Sequence, residues 1–431
     1  MTSRPSRHVA CNRPNPPASA SSGITVRSAE SDSWDAWDAV IQHAFGEGWS
    51  PESRAAWDSL REPDRCLSAY LGTELVGTAG AYSFSMTVPG GAAQPVAGVT
   101  AVAVAPTARR RGVMRAMMRH QLHELHEHGR EPLAALTASQ PQIYGRFGYG
   151  LATWRMQLRA RTGPGALPAA PAAAADVRMR LADPAEALPA CRTVYDELLP
   201  SRPGLMARND LWAQRQLHDP PAERGGASPL RCVLAEADGQ VRGYAYYATK
   251  PEWGQEGPHG RTVVREVHAL DPVTRLALWR YLFDLDLMSH LEVNGLAPDD
   301  PLLHQLTDVR AAKPSFMDGM YLRLVDAGRA LAARTYAVPV DLVLDVHDAF
   351  CPWNTGRWRL TGDEHGARCE RTTAAADVAL GATELGSLYL GGMSAASLEG
   401  AARVIGLRPG AVARLGTAFA HEPLPLMAFG F

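Results

Sequence analysis

The chain has 431 residues, 46% of them apolar, enough to bury several cores and roughly two to four domains by length. Lys and Arg number 43 against 45 Asp and Glu, a net charge of −2, so the overall balance draws the protein neither to nucleic acid nor to an anionic membrane. The six cysteines carry no CxxC or metal-ligand spacing, and no run approaches the ~18 apolar residues of a membrane span, so free thiols and a cytoplasmic location are expected.

Residues 1–23 are basic and Pro/Ser-rich without an apolar stretch, which reads as a disordered arm and not a secretion signal. Ile24 opens a short strand, ITVR, and SWDAWDAVIQHAF is an amphipathic helix with Trp34, Trp37, Ile41 and Phe45 at helical spacing. Cys66 to Phe84 forms a hairpin that turns at Gly72 and Thr73. The stretch VTAVAVAPTARRRGVMRAMMRHQL, Val99 to Leu122, is a strand, a turn and a helix, and LAALTAS, Leu133 to Ser139, is a buried strand leading into PQIYGRFGYG.

These elements make a first unit over residues 24–161. The Pro/Ala-rich run from Thr162 to Asp176 reads as a connection to a second unit, 177–335, that repeats the order. CVLAEADGQVRGYAYYATK, from Cys232, echoes CLSAYLGTELVGTAGAY, from Cys66. REVHALDPVTRLALWRYL, from Arg265, stands where TAVAVAPTARRRGVMRAMM stands in the first copy, but without the R-R-R-G. Such internal similarity implies one working unit and one that keeps the fold without its anion-binding loop. Residues 336–431 change character: AVPVDLVLDVHD alternates like a strand, TGRWRLTG is its hairpin partner, and ATELGSLYLGG and SLEGAARVIG read as short helices, giving a third, α+β domain.

The arginine cluster carries the first chemical signal. Pro106 ends the strand because it has no N–H to donate, and Val113, Met114, Met117, Met118, Leu122 and Leu125 form the apolar stripe of a helix beginning near Gly112. Three arginines therefore occupy the turn before a helix N-terminus. Free backbone N–H groups and the helix dipole favour an anion there, glycine lets the backbone approach it, and guanidinium groups add charge-assisted hydrogen bonds to phosphate oxygens. A second cluster, HQLHELHEHG from His120 to Gly129, lacks H-E-x-x-H and lies largely opposite the methionine stripe, so it reads as a solvated polar face and no metal site is expected.

The strand, proline, R-x-x-G and helix resemble the acyl-CoA site of GNAT N-acetyltransferases, whose signature is Q/R-x-x-G-x-G/A. Arg109 and Gly112 match, and Met114 stands where that family generally has Gly or Ala. VAPTARRRGVMRAMM, followed by ASQPQIYGRFGYG and a final phenylalanine, is similar to the Eis (enhanced intracellular survival) acetyltransferases, which tolerate a larger residue there. The resemblance covers about residues 24–431. It implies an α/β (α+β) architecture of two GNAT folds in tandem, the second degenerate, followed by a sterol-carrier-like domain.

It further implies acetyl-CoA as co-substrate, no metal, an amine on a small molecule or peptide as acceptor, and a homohexamer built as a dimer of trimers. On that basis the backbone of Val102, Ala103 and Val104 holds the pantetheine arm and the thioester carbonyl. Arg109, Arg110, Arg111, Gly112, Val113, Met114 and Arg115 bracket the diphosphate, and Ser139 and Gln140 touch the CoA. Tyr144 is the proton donor to the departing thiolate, a short step because a phenol near ~10 and a thiol near ~8.5 are close. The carboxylate of Phe431 is the proton acceptor. A carboxylate near ~3.5 facing an ammonium near ~10 calls for a water relay or burial. The segment FGEGWSPESRAAW, Phe45 to Trp57, resembles the family's acceptor-facing region, and Phe45, Glu47 and Trp49 are the candidates there because aromatic walls and carboxylates suit cationic amines. An acidic residue in place of Gly430 would have strengthened polyamine binding. The alternative function is a non-catalytic CoA or lipid carrier whose working part is the third domain.

Overall fold

The computed structural model describes residues 23–169 and 172–431. The expected N-terminal arm, apart from Gly23, lies outside the described residues, as does Cys11.

The first unit runs β1 (Ile24–Ser28), α1 (Trp34–Phe45), α2 (Pro51–Leu60), β2 (Leu67–Leu71), β3 (Glu74–Thr87), β4 (Ala93–Val104), α3 (Val113–His128), β5 (Leu133–Thr137), the single turn α4 (Pro141–Tyr144) and β6 (Gly150–Leu151). The second runs β7 (Trp154–Arg161), β8 (Arg178–Ala182), α5 (Pro184–Leu198), α6 (Asp210–Arg215), β9 (Arg231–Ala237), β10 (Gln240–Lys250), the small ribbon β11 (Trp253–Gly254) and β12 (Gly257–Pro258), β13 (Gly260–Ala269), α7 (Pro272–Phe283), β14 (Met288–Leu296), α8 (Leu302–Gln305), β15 (Ser315–Asp318) and β16 (Met320–Leu324). After α9 (Ala327–Ala332), the third contains β17 (Val340–His347), β18 (Gly356–Gly362), β19 (Ala367–Arg371), β20 (Val378–Gly381), α10 (Ala382–Leu388), α11 (Ala395–Gly400), β21 (Val404–Gly406) and α12 (Ala411–Phe419). SLEGAARVIG is thus a helix followed by a strand, its VIG pairing antiparallel with β20.

The first sheet has the order β1-β2-β3-β4-β5-β16-β6 and the second β15-β7-β14-β13-β10-β9-β8. The first two units are therefore interleaved, and the sheets do not divide at the boundary expected at 161. Trp154–Arg161 belongs to the second sheet, paired with β14 and β15, while Met320–Leu324 returns to the first between β5 and β6. The exchange is fastened where the chains cross: Met320 N donates to Thr153 Oγ1 at 2.8 Å and Gly319 N to Thr153 O at 2.9 Å. A Cβ at Gly319 would meet Thr153 Oγ1 at 2.4 Å, so only glycine fits this crossing.

The third sheet, β19-β18-β17-β20-β21, packs its apolar face into the largest core, which also holds Phe84 of the first unit, Trp212 of the second and the tail residues Met427 and Phe429. A fully buried ion pair, Arg323 Nη2 to Asp348 Oδ2 at 2.6 Å, ties β16 to the third unit. The histidine face of α3 is a correction to the sequence reading. His126 stacks on Trp353 at 4.2 Å and His123 meets its edge at 4.9 Å, so that face docks the third unit instead of facing solvent alone.

Candidate active site

Parallel pairing of β4 with β5 is confined to Val96–Gly98. Past Gly98 the strands diverge, leaving Val99–Val104 without a strand partner on that side. The divergence has a local cause: the β3/β4 register slips between Thr78 and Gly80, and Ala101 adopts φ +52° at the resulting bulge. Thr78 Oγ1 secures it by donating to Ala101 O at 2.8 Å. The result is a wedge-shaped cleft walled by the backbone of Val102, Ala103 and Val104, with Ser139 and Gln140 exposed just past the end of β5.

The arginine turn lies at the mouth of this cleft. Ala105 N still donates to Val76 O, after which a single 3-10 turn, Pro106–Ala108, redirects the chain. Arg110 at φ +62° and Gly112 at φ +90° make the tight entry into α3. No side chain caps Gly112, so the first N–H groups of α3 are open to an anion. Arg109, Arg110 and Arg111 are exposed around it, and Arg109 Nη2 reaches Ala44 O at the end of α1. Val113 is buried and Met114 half-buried. Arg115 lies in the first turn of the helix, its guanidinium 5.6 Å from the Phe350 ring of the third unit.

The second unit keeps the splayed strands but not the anion loop. Its parallel pair, β13 and β14, also diverges, after Val264. There the helix N-cap is Asp271, whose carboxylate accepts from Thr274 N and Oγ1, both at 2.8 Å. An internal carboxylate thus fills the place an external phosphate would take.

Tyr144 ends α4 beneath the first cleft, 7% exposed and packed with Tyr149 at 6.1 Å. Burial alone pushes its hydroxyl up to about 12. Tyr149 is more deeply buried, its hydroxyl held neutral by the same cause. On the far side of β4, a cavity of about 260 Å³ is walled by Trp37, Phe45, Trp49, Trp57, Tyr82 and Phe431, with Glu47, Glu62 and Arg61 as its charged groups. The Arg61 charge is taken up by Asp38 at 2.7 Å and Asp58 at 2.8 Å. The Glu62 carboxylate is oriented by Ser83, which donates through N at 2.7 Å and Oγ at 2.6 Å. Cys66 also lines the cavity; burial pushes its thiol up to about 12.

The cavity therefore brings together Phe45, Glu47 and Trp49 with Phe431, which arrives from the other end of the chain. Sequence reading missed Trp57, Tyr82 and Glu62, and placed Trp37 in a core stripe. That stripe was the available signal, since α1 turns the same apolar face to the cavity and to the sheet beneath it. Among the described residues, no group of three or more His, Cys, Asp or Glu side chains could hold a metal ion.

A wedge between parallel strands, an open helix N-terminus at its mouth and an adjoining aromatic cavity define the class: an N-acetyltransferase of the GNAT fold. Residues 25–152 and 204–324 each match an acetyltransferase (GNAT) domain model, and residues 327–428 match a sterol carrier protein domain. An uncharacterized N-acetyltransferase of Streptomyces avermitilis is 48% identical over 407 residues, covering 94% of this chain and 99% of its own. The N-acetyltransferase Eis of Mycobacterium tuberculosis is 34% identical over 418 residues, covering 95% and 100%. The crystal structure of Eis1 from Mycobacterium abscessus superposes with a TM-score of 0.79 at 30% identity over 94% of this chain and all of that one. The chain belongs to the Eis family of GNAT acetyltransferases, and it is an acyltransferase. GNAT acetyltransferases use acetyl-CoA. No helix among the described residues is long and apolar enough to cross a membrane.

Proposed function

We propose that the protein transfers acetyl from acetyl-CoA directly to cationic primary amines, with Tyr144 as proton donor and the Phe431 carboxylate as proton acceptor. The cavity carries this reading: six aromatic side chains and two carboxylates, with the one cation of the lining, Arg61, already neutralised, meet beside the open edge of β4 with Phe431 in the wall. Such a lining favours a positively charged acceptor through ring faces and carboxylates together. Aminoglycosides, polyamines and lysine side chains all belong to that class.

Acetyl-CoA supplies the acyl group activated as a thioester. The open cleft fits it, with Arg109, Arg110, Arg111 and the uncapped start of α3, Gly112 to Arg115, for the diphosphate, Val102 to Val104 for the arm, and Ser139 and Gln140 at the rim. Tyr144 stays protonated at neutral pH because burial disfavours the phenolate, so its proton is available for the departing sulfur. Cys66 is the thiol in the cavity wall and burial keeps it from ionising, which supports transfer without an acyl-cysteine. Phe431 takes the amine proton through a water relay, since a carboxylate near ~3.5 is a weak base toward an ammonium near ~10. The homohexamer implied by the family resemblance is part of this proposal, and light scattering at micromolar concentration checks it.

The test is thiol release from acetyl-CoA over a panel of aminoglycosides, diamines, lysine peptides and neutral aryl amines, with the acetylated products identified by mass spectrometry. Turnover confined to the cationic amines supports the reading. Turnover with the neutral amines alone, or tight fatty-acyl or sterol binding without turnover on any amine, overturns it.

A further inference from the structure

The tail that delivers Phe431 to the first unit is held by the second. Residues 423–428 run along the mouth of the cleft where β13 and β14 diverge, a cavity of about 270 Å³ to which Pro423, Leu426 and Ala428 contribute one wall. Both backbone groups of Leu424 are taken by side chains of that unit: its N–H donates to Asp299 Oδ2 at 2.8 Å, and its carbonyl accepts from Arg202 Nη1 at 2.9 Å. The same Arg202 Nη1 lies 2.9 Å from Asp299 Oδ1, so the two side chains form one closed clamp. Two residues on, Leu426 N donates to Pro203 O at 2.9 Å, and Gly204 at φ +87° leaves room for the Leu426 carbonyl, which a Cβ would meet at 2.8 Å.

The strip that grips the tail is itself fixed to the first unit. Gly204 N donates to Thr87 O, Thr87 N to Leu205 O and Ala207 N to Ser85 O, so residues 204–207 extend the edge of β3. Beyond the clamp, Phe429 packs on Trp212 at 5.4 Å with Arg208 5.0 Å from its ring, and Phe431 then meets Phe84. Each contact shortens the stretch of free chain before Phe431.

We infer that the degenerate unit is a receptor for the chain's own tail, with Arg202 and Asp299 as positioning residues that hold the Phe431 carboxylate in register for the reaction. Asp271 has closed this unit to a diphosphate, while its splayed strands keep a groove that an extended segment can line. The inference rests on the proposed acid–base role of Phe431. It assigns the clamp no contact with substrate. A loosely held tail leaves the acetyl-CoA cleft intact and misplaces one group, which lowers kcat and not cofactor affinity.

The experiment compares the full chain with Asp299→Ala, Asp299→Asn, Arg202→Lys and a copy lacking Phe431. It reads hydrogen exchange over residues 421–431, kcat on the best amine of the panel, and acetyl-CoA affinity. In Asp299→Ala, exchange at the tail amides is expected to rise about tenfold or more, and kcat to fall about tenfold or more with acetyl-CoA affinity unchanged. Asp299→Asn retains an oxygen for Leu424 N–H and is expected to recover most of both, which also separates the clamp from a folding defect. Unchanged tail exchange in Asp299→Ala and Arg202→Lys overturns the clamp. Faster exchange with native kcat, while the copy lacking Phe431 is inactive, overturns the positioning role. If the copy lacking Phe431 turns over normally, the acid–base reading falls, and faster exchange in Asp299→Ala still supports the tail receptor.

Discussion

The ring of Phe431 packs 5.0 Å from that of Phe84, centroid to centroid, at the wall of the aromatic cavity. Phe84 lies on the long strand β3 of the first unit, and Phe431 is reached only after the chain has passed through the second and third. A Cβ at Gly98 would meet the Phe431 ring at 3.1 Å and the Phe84 ring at 2.5 Å, so glycine at the last position of β4 paired with β5 makes room for this seat. The same residue thus marks where β4 and β5 part and where the tail arrives.

Tyr144 sets a pH expectation. Its hydroxyl is pushed up to about 12 by burial, so the donor proton is present throughout the accessible range and is lost only above it. The acceptor amine, near ~10, must lose its proton, so kcat/KM should climb from about pH 6 to about pH 9 with no descending limb. Tyr144→Phe should lower kcat about 100-fold, within the range of one positioned acid, with acetyl-CoA affinity intact. A descending limb near neutrality that persists in Tyr144→Phe would assign the acid elsewhere.

Gly112 is a backbone requirement. Nothing but Ile24, at 3.9 Å, is near its absent Cβ, so the cost of Gly112→Ala lies in φ +90° and not in crowding. A left-handed conformation costs an L residue about 1–2 kcal/mol, and relaxing it tilts the N–H groups proposed to face the diphosphate. Calorimetry should show CoA affinity about tenfold weaker, with the melting temperature little changed.

Glu47 is exposed and lines the cavity. An exposed ion pair contributes up to about 1 kcal/mol, so Glu47→Gln should raise KM for a dicationic acceptor about two- to fivefold. The effect should shrink in high salt and vanish for a neutral acceptor. Equal KM changes for charged and neutral acceptors would mean that Glu47 acts on cavity shape alone.

Asp348 and Arg323 are both essentially without solvent. Removing one partner of such a pair leaves a buried charge and costs about 3–5 kcal/mol. Asp348→Ala should therefore lower stability to denaturant by that order and loosen the third unit from the first, since Asp348 also accepts from Phe350 N and Cys351 N.

Where elements are local, the sequence already contains them. The hairpin at Gly72 and Thr73, the strand, proline and R-x-x-G turn, and the start of α3 after Gly112 follow from period, breaker and cap within a few residues. The strand exchange does not. Trp154–Arg161 and Met320–Leu324 have the same two-residue period whichever sheet receives them, and their partners lie more than a hundred residues away. The histidines of α3 were legible as polar but not as docked, because Trp353, which they grip, belongs to another unit. The aromatic cavity was half legible. Phe45, Glu47 and Trp49 share one segment with Trp57, whereas Tyr82, Glu62 and Phe431 join them only through the fold.

The most direct measurement is acetyl-CoA turnover on the preferred amine by the native chain and by a copy carrying three additional residues after Phe431, with acetyl-CoA affinity measured for both. If the Phe431 carboxylate accepts the amine proton, the extended copy binds acetyl-CoA as the native chain does and has lost turnover. Equal turnover in the two would contradict that role and send the search for the base to the carboxylates of the cavity wall.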